Sequence, residues 1–185
     1  MKGVVFTEFL DMVEAKFSPD LVDLIIDESE LPSGGAYTAV GTYHHSEMIE
    51  LLTKLSENVD IEVADLLRSF GRHLFGRFVS RYPQLFSDAK ETFDFLGKVD
   101  GYIHVEVRKL YPDAQLPSIQ CDNPTPDCLQ VTYRSARPLA NLAEGLIQGC
   151  IAHFGEPIEL EMHDLSDGSG LAARFELRKK ALPGE

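Results

Sequence analysis

The chain has 185 residues, 44% of them hydrophobic, and a formal net charge of −13 at neutral pH. That length supports one substantial core and one domain, 1–185, while so acidic a balance argues against nucleic acid, whose phosphates call for clustered Lys and Arg. No stretch reaches the roughly eighteen apolar residues of a membrane span, and Met1-Lys2-Gly3-Val4-Val5-Phe6-Thr7-Glu8 lacks the apolar run of a signal peptide, so the cytoplasm is the expected compartment.

Phe6, Phe9, Leu10, Val13 and Phe17 recur at three- and four-residue steps and predict a first helix. Ser18-Pro19-Asp20 then supplies a cap and a first-turn proline for a second helix through Leu21, Leu24 and Ile25. Residues 31–43 are rich in Gly, Pro, Ser and Thr and read as a loop, after which Ser46 is placed to cap a helix carrying Met48, Leu51, Leu52 and Leu55. Another helix begins near Glu62 and sets Leu66, Phe70, Leu74 and Phe78 at four-residue steps. Such an apolar ridge packs on other helices or presses on a flat ligand.

Between residues 91 and 110 the pattern is divided: Phe93, Leu96 and Val99 carry helical spacing, whereas Ile103, Val105 and Val107 alternate with polar residues as in a strand. Tyr111-Pro112 ends the segment. Residues 129–134 favour a strand, and Pro138 starts a helix with Leu139, Leu142, Leu146, Cys150 and Phe154 along its face. Residues 157–163 pair with 171–178 across the turn Ser166-Asp167-Gly168-Ser169-Gly170. Strands joined by so short a turn run antiparallel, so the expected class is α+β, a mostly helical first half packed on a half with a small sheet of about four strands.

Two features carry chemistry. His104, in Ile103-His104-Val105, offers a neutral nitrogen able to bond iron. In Tyr133-Arg134-Ser135-Ala136-Arg137, alternate side chains of an extended strand share a face, so Tyr133, Ser135 and Arg137 project together as donors for paired carboxylates, with Arg137 the bidentate clamp. An iron-binding imidazole and a carboxylate grip together suit haem with its two propionates. Cys121, Cys128 and Cys150 stand in no Cys-x-x-Cys-His arrangement, so that haem would be of b type.

On these residues the chain resembles the haem-nitric oxide/oxygen-binding (H-NOX) family, the bacterial gas sensors related to the haem domain of soluble guanylate cyclase. The resemblance rests on Met1-Lys2-Gly3, Ala64-Asp65-Leu66-Leu67-Arg68-Ser69-Phe70-Gly71, His104-Val105-Glu106-Val107-Arg108-Lys109-Leu110-Tyr111-Pro112, the Tyr-x-Ser-x-Arg segment and Gly145-Leu146-Ile147-Gln148-Gly149. It implies haem b between a helical distal part, about 1–62, and a proximal sheet-bearing part, about 63–185. It also makes residues 91–110 helical, with His104 the proximal iron ligand through Nε2 and with Tyr133, Ser135 and Arg137 on the propionates. Pro117 would pack against the porphyrin, Leu74, Phe78, Leu142 and Leu146 would wall it, and Val5 and Phe9 would line the gas-binding side.

Oxygen-binding members carry a distal tyrosine at the place held here by Leu142, and the other usual distal partner is Leu74. Both are aliphatic, so nitric oxide and carbon monoxide are the expected ligands, without stable oxygen binding. The implied activity is sensing without catalysis. The resemblance implies that nitric oxide would weaken the bond from iron to His104, free its helix and bias a two-state protein acting on a separate histidine kinase or cyclic-di-GMP enzyme. The alternative is a haem or redox-responsive interaction module that senses no nitric oxide. Some bacterial members carry a cysteine-built zinc site; the matching places here hold Ala140, Ser166 and Ala173 beside His163, too few ligands for a tetrahedral ion. A hydrolytic metal site from His44, His45, His163 and Asp164 is the competing enzymatic reading, without the fixed spacing of known metal motifs.

Overall fold

The computed structural model describes residues 1–180, so the expected domain limit at 185 lies outside the described residues. Four helices come first: α1 (Gly3–Lys16), α2 (Pro19–Asp27), α3 (His45–Val59) and α4 (Val63–Arg81). A 3₁₀ turn (Pro83–Leu85) leads to α5 (Thr92–Gly97), a π-helical turn (Val99–Ile103) and α6 (His104–Leu110). Strands β1 (Ser118–Thr125) and β2 (Cys128–Arg134) precede α7 (Ala140–Phe154), and β3 (Ile158–Asp164) and β4 (Ala172–Lys179) follow it. The fold is α+β, as the sequence pattern predicts. Its sheet has the order β1-β2-β4-β3 and is antiparallel throughout.

Local chemistry explains most helix starts. Ser18 Oγ accepts from the Leu21 N–H at 3.1 Å and Pro19 opens α2. At α3 the cap falls on His44, not Ser46. Ser46 already lies in the first turn, and its free N–H donates to His44 Nδ1 at 3.3 Å. Residues 31–43 form the expected loop, pinned by Glu47, whose buried carboxylate accepts from the hydroxyls of Ser33 and of Tyr37, the latter at 2.9 Å. The far end of that loop bridges to the chain start at Lys2 and Thr42, and the Gly3 N–H donates to Gly41 O at 2.8 Å.

Two apolar clusters share two helices. One gathers α1, α2 and α3 on α4 around Phe6, Phe9, Leu51 and Phe70. The other lies under the sheet around Phe95, Leu129, Cys150 and Phe175. Leu74 of α4 and Leu142 of α7 belong to the first, Phe75 and Ile147 of the same helices to the second. The two helices meet backbone to backbone, since a Cβ on Gly71 would collide with Leu142 O and one on Gly145 with Arg68 O.

Three local expectations need correction. Residues 91–110 are helical, but not as one helix: the Ile103 N–H donates to Lys98 O at 3.1 Å, an i→i+5 bond that inserts a π turn before α6. The strand-like alternation there is overridden, for Val105 is 40% exposed while His104 beside it is buried. Helix α7 begins at Ala140, two residues after Pro138, because the Leu139 N–H is first turned back to Arg137 O at 2.8 Å. Strand β1 matches no segment delimited from the sequence; it is a largely exposed edge strand whose apolar alternation is confined to Ile119 and Cys121. No helix of the described residues is long and apolar enough to cross a membrane.

Candidate functional site

A cavity of about 810 Å³ is enclosed by residues of α1, α4, α6, α7 and the sheet. Ligand pockets usually measure about 300–1,000 Å³. Its walls are mainly apolar, with Val5 from α1, Leu74 and Phe78 from α4, and Leu142 and Leu146 from α7. His104 enters from α6, and Pro117 from the segment before β1. Tyr133, Ser135 and Arg137 reach it from the end of β2 and the bend that follows. Phe9 stands apart: it is fully buried in the helical cluster, edge-on to Phe70 with centroids 5.3 Å apart, and is not on the cavity wall.

His104 is 8% exposed and opens α6 directly after the π turn. That turn sets Asp100 beside it, with Oδ1 3.2 Å from Nδ1, while Nε2 has no hydrogen-bond partner among the described residues. Burial holds the imidazole below its ordinary titration range, with Asp100 opposing. A neutral ring with one nitrogen anchored and the other free is the form that ligates a metal.

The three donors do not share one strand. Strand β2 ends at Arg134, after which the Ser135 N–H donates to Leu171 O at 2.8 Å and the Arg137 N–H to Ser135 Oγ at 3.1 Å. These bonds bend the chain toward α7, and the bend, not strand alternation, brings Ser135 and Arg137 to the cavity. Burial pushes the Tyr133 phenol up, against Ser135 and Arg137, so it stays protonated and able to donate. Arg137 donates to Gln115, to its carbonyl at 2.7 Å and its Oε1 at 3.1 Å. A buried neutral imidazole, apolar walls and three donors from the end of β2 and the bend after it fit a flat apolar ring that carries a metal and carboxylates.

Sequence reasoning missed Asp100, whose signal is its four-residue spacing to His104, and the stripe of Ile103, Val107 and Leu110, which line the cavity at helical spacing. His44 and His45 also line the cavity, but His163 and Asp164 close β3, where Asp164 Oδ1 accepts from Ser166 Oγ at 2.7 Å. The four therefore form no cluster. Among the described residues, no group of three or more His, Cys, Asp or Glu is placed to share a metal ion. Cys121, Cys128 and Cys150 are free thiols, and burial pushes that of Cys121 up to about 11.

The family model described as Haem-NO-binding matches residues 2–162. The chain belongs to the haem-NO-binding family. The match begins at Lys2 and ends inside β3, so it takes in every cavity residue named above. Among solved structures, an unliganded Fe(II) H-NOX protein from K. algicida is 39% identical, with 100% of each chain covered and a TM-score of 0.93. The H-NOX of Shewanella woodyi, solved with IWP-051 in the Fe(II)CO state, is 37% identical over 100% of this chain and 97% of that one, at a TM-score of 0.83. An S. oneidensis H-NOX protein in the Fe(II)NO state covers 98% of this chain and 100% of that one at a TM-score of 0.90; at 23% identity it attests the fold alone. A comparison with curated proteins finds no match.

Proposed function

We propose that this protein is a gas sensor that holds a b-type haem in the cavity through His104 and responds to nitric oxide. The observation that carries this reading is the meeting of His104 with Tyr133, Ser135 and Arg137 on one apolar cavity in a haem-NO-binding chain. A bound ferrous haem supplies an open coordination position for a diatomic gas. His104 Nε2 is the metal ligand, oriented through the 3.2 Å contact of Nδ1 with Asp100. Tyr133, Ser135 and Arg137 take the propionates, Arg137 giving up Gln115 to do so. Pro117 packs on the ring, and Val5, Leu74, Phe78, Leu142 and Leu146 keep water away from it. Phe9, edge-on to Phe70, belongs to the same buried cluster as the wall residues Leu74 and Leu142.

Leu74 and Leu142 bring no hydrogen-bond donor, which disfavours dioxygen more than nitric oxide or carbon monoxide. The Shewanella woodyi relative, solved in its Fe(II)CO state, supports gas binding in this fold. His104 would couple a bound haem to α6, a helix of 7 residues joined to the body through the π turn, so that weakening of its bond to the metal would free this helix. The signal passes to a separate effector, a histidine kinase or a cyclic-di-GMP enzyme, and the sensor performs no catalysis of its own. Absorption spectra of the haem-loaded protein test the reading. A Soret band that shifts with nitric oxide and with carbon monoxide, and stays unchanged in air, supports it; a chain that remains colourless with haem supplied contradicts it.

A further inference from the structure

The cavity is short of anions. The chain carries 30 acidic residues against 17 basic ones, yet among the described residues Asp113 is the one carboxylate on the cavity wall, beside Lys2, His44, His45, His104 and Arg137. Asp113 is already satisfied, with Lys2 Nζ at 3.1 Å and the Thr42 hydroxyl donating at 2.7 Å. Arg137 is left with neutral Gln115 and His45 with no hydrogen-bond partner among the described residues.

His45 opens α3 and is half-buried. Its neighbour His44 is occupied in capping, and their rings lie 4.6 Å apart. Burial first, then His44, Arg137 and the Met1 amino group, hold the His45 imidazole below its ordinary range. The positive end of α3 acts in the same sense. Arg137 brings a fixed positive charge to this side of the cavity, and an anionic ligand completes it. Arg137 neutralises one carboxylate, whereas Tyr133 and Ser135 bring neutral donors, so a second carboxylate on the same ligand, partly removed from water, still lacks a partner able to carry positive charge.

We propose that His45 is a second carboxylate contact of the cavity, donating to the haem propionate that Arg137 does not hold. The inference rests on the haem reading above and adds a residue to it. Protonated or neutral, the imidazole keeps an N–H for this bond, and the incoming carboxylate favours the protonated form.

Loading the apoprotein with iron protoporphyrin IX, and separately with its dimethyl ester, tests this. Release is followed by transfer to an excess of an apo-globin acceptor, for the wild type, His45→Leu and His45→Gln. His45→Leu should release the free-acid porphyrin about tenfold faster and the ester within about twofold of the wild-type rate. His45→Gln, which retains a donor, should stay close to wild type with both. Equal acceleration of acid and ester in His45→Leu, or no acceleration of either, overturns the role of His45 while leaving the haem reading intact. A wild-type chain that holds neither porphyrin overturns that reading and the inference together.

Discussion

Lys2 and Asp113 stand 111 residues apart in the chain, and Lys2 Nζ lies 3.1 Å from Asp113 Oδ1. The pair ties the segment after α6, the helix of His104, to the chain start, where Lys2 also donates to Val40 O at 2.9 Å. Thr42 and then Lys2 hold the Asp113 carboxyl below its usual range. Its side chain is 57% exposed, so solvent screens the contact and its role is to position the cavity mouth. Asp113→Ala should leave the thermal midpoint nearly unchanged and speed haem release by up to about fivefold, read by transfer to an acceptor.

Glycines on α4 and α7 should respond with opposite signs. Gly145→Ala drives a methyl into Arg68 O at the helix crossing and should lower stability by about 1–3 kcal/mol in urea unfolding. Gly76, in α4, meets nothing within 4 Å of an added Cβ and is exposed. Gly76→Ala should therefore raise stability by about 0.5–1 kcal/mol.

His73 should contribute an acid-sensitive component to folding. Its Nε2 is 3.8 Å from Glu8 Oε2, yet burial outweighs that carboxylate and holds the imidazole below its ordinary range. Unfolding restores ordinary proton affinity, so acid favours the unfolded chain. The contribution is flat above about pH 7 and declines as pH falls through about 6.5. Urea midpoints between pH 8 and 5 should fall less steeply for His73→Asn than for the wild type.

Much of the helical half is legible in the sequence because each element carries its own signal: the three- and four-residue steps of α1, Ser18-Pro19 at α2, the ridge from Leu66 to Phe78 on α4. The missing pieces are those whose reasons lie elsewhere in the fold. Strand β1 carries only Ile119 and Cys121 as half-buried apolar residues, too short an alternation to mark it, and is defined by its pairing with β2, as of Cys121 with Val131. The π turn adds a residue to a helix, so the apolar spacing of 93–99 falls out of phase with that of 103–110, and the exposed Val105 between Ile103 and Val107 imitates a strand. Likewise the motif around Tyr133 shows which donors are present, but their convergence depends on a bend held by Leu171, distant in sequence but beside the end of β2 because β4 pairs with it.

Leu142 tests gas selectivity. It is 8% exposed on the cavity wall and has no donor, so Leu142→Tyr introduces a hydroxyl where bound dioxygen would gain from one. The ferrous variant should form a stable oxygen complex in air, visible as a shifted Soret band, where the wild type forms none.

His104 is the residue on which the account depends, and its replacement is the most direct measurement. His104→Ala, loaded with ferrous haem, should lose the wild-type spectrum and regain it when free imidazole is added to fill the space beside Asp100. A His104→Ala protein that keeps the wild-type ferrous spectrum without imidazole would show that another residue binds the iron and would contradict the account.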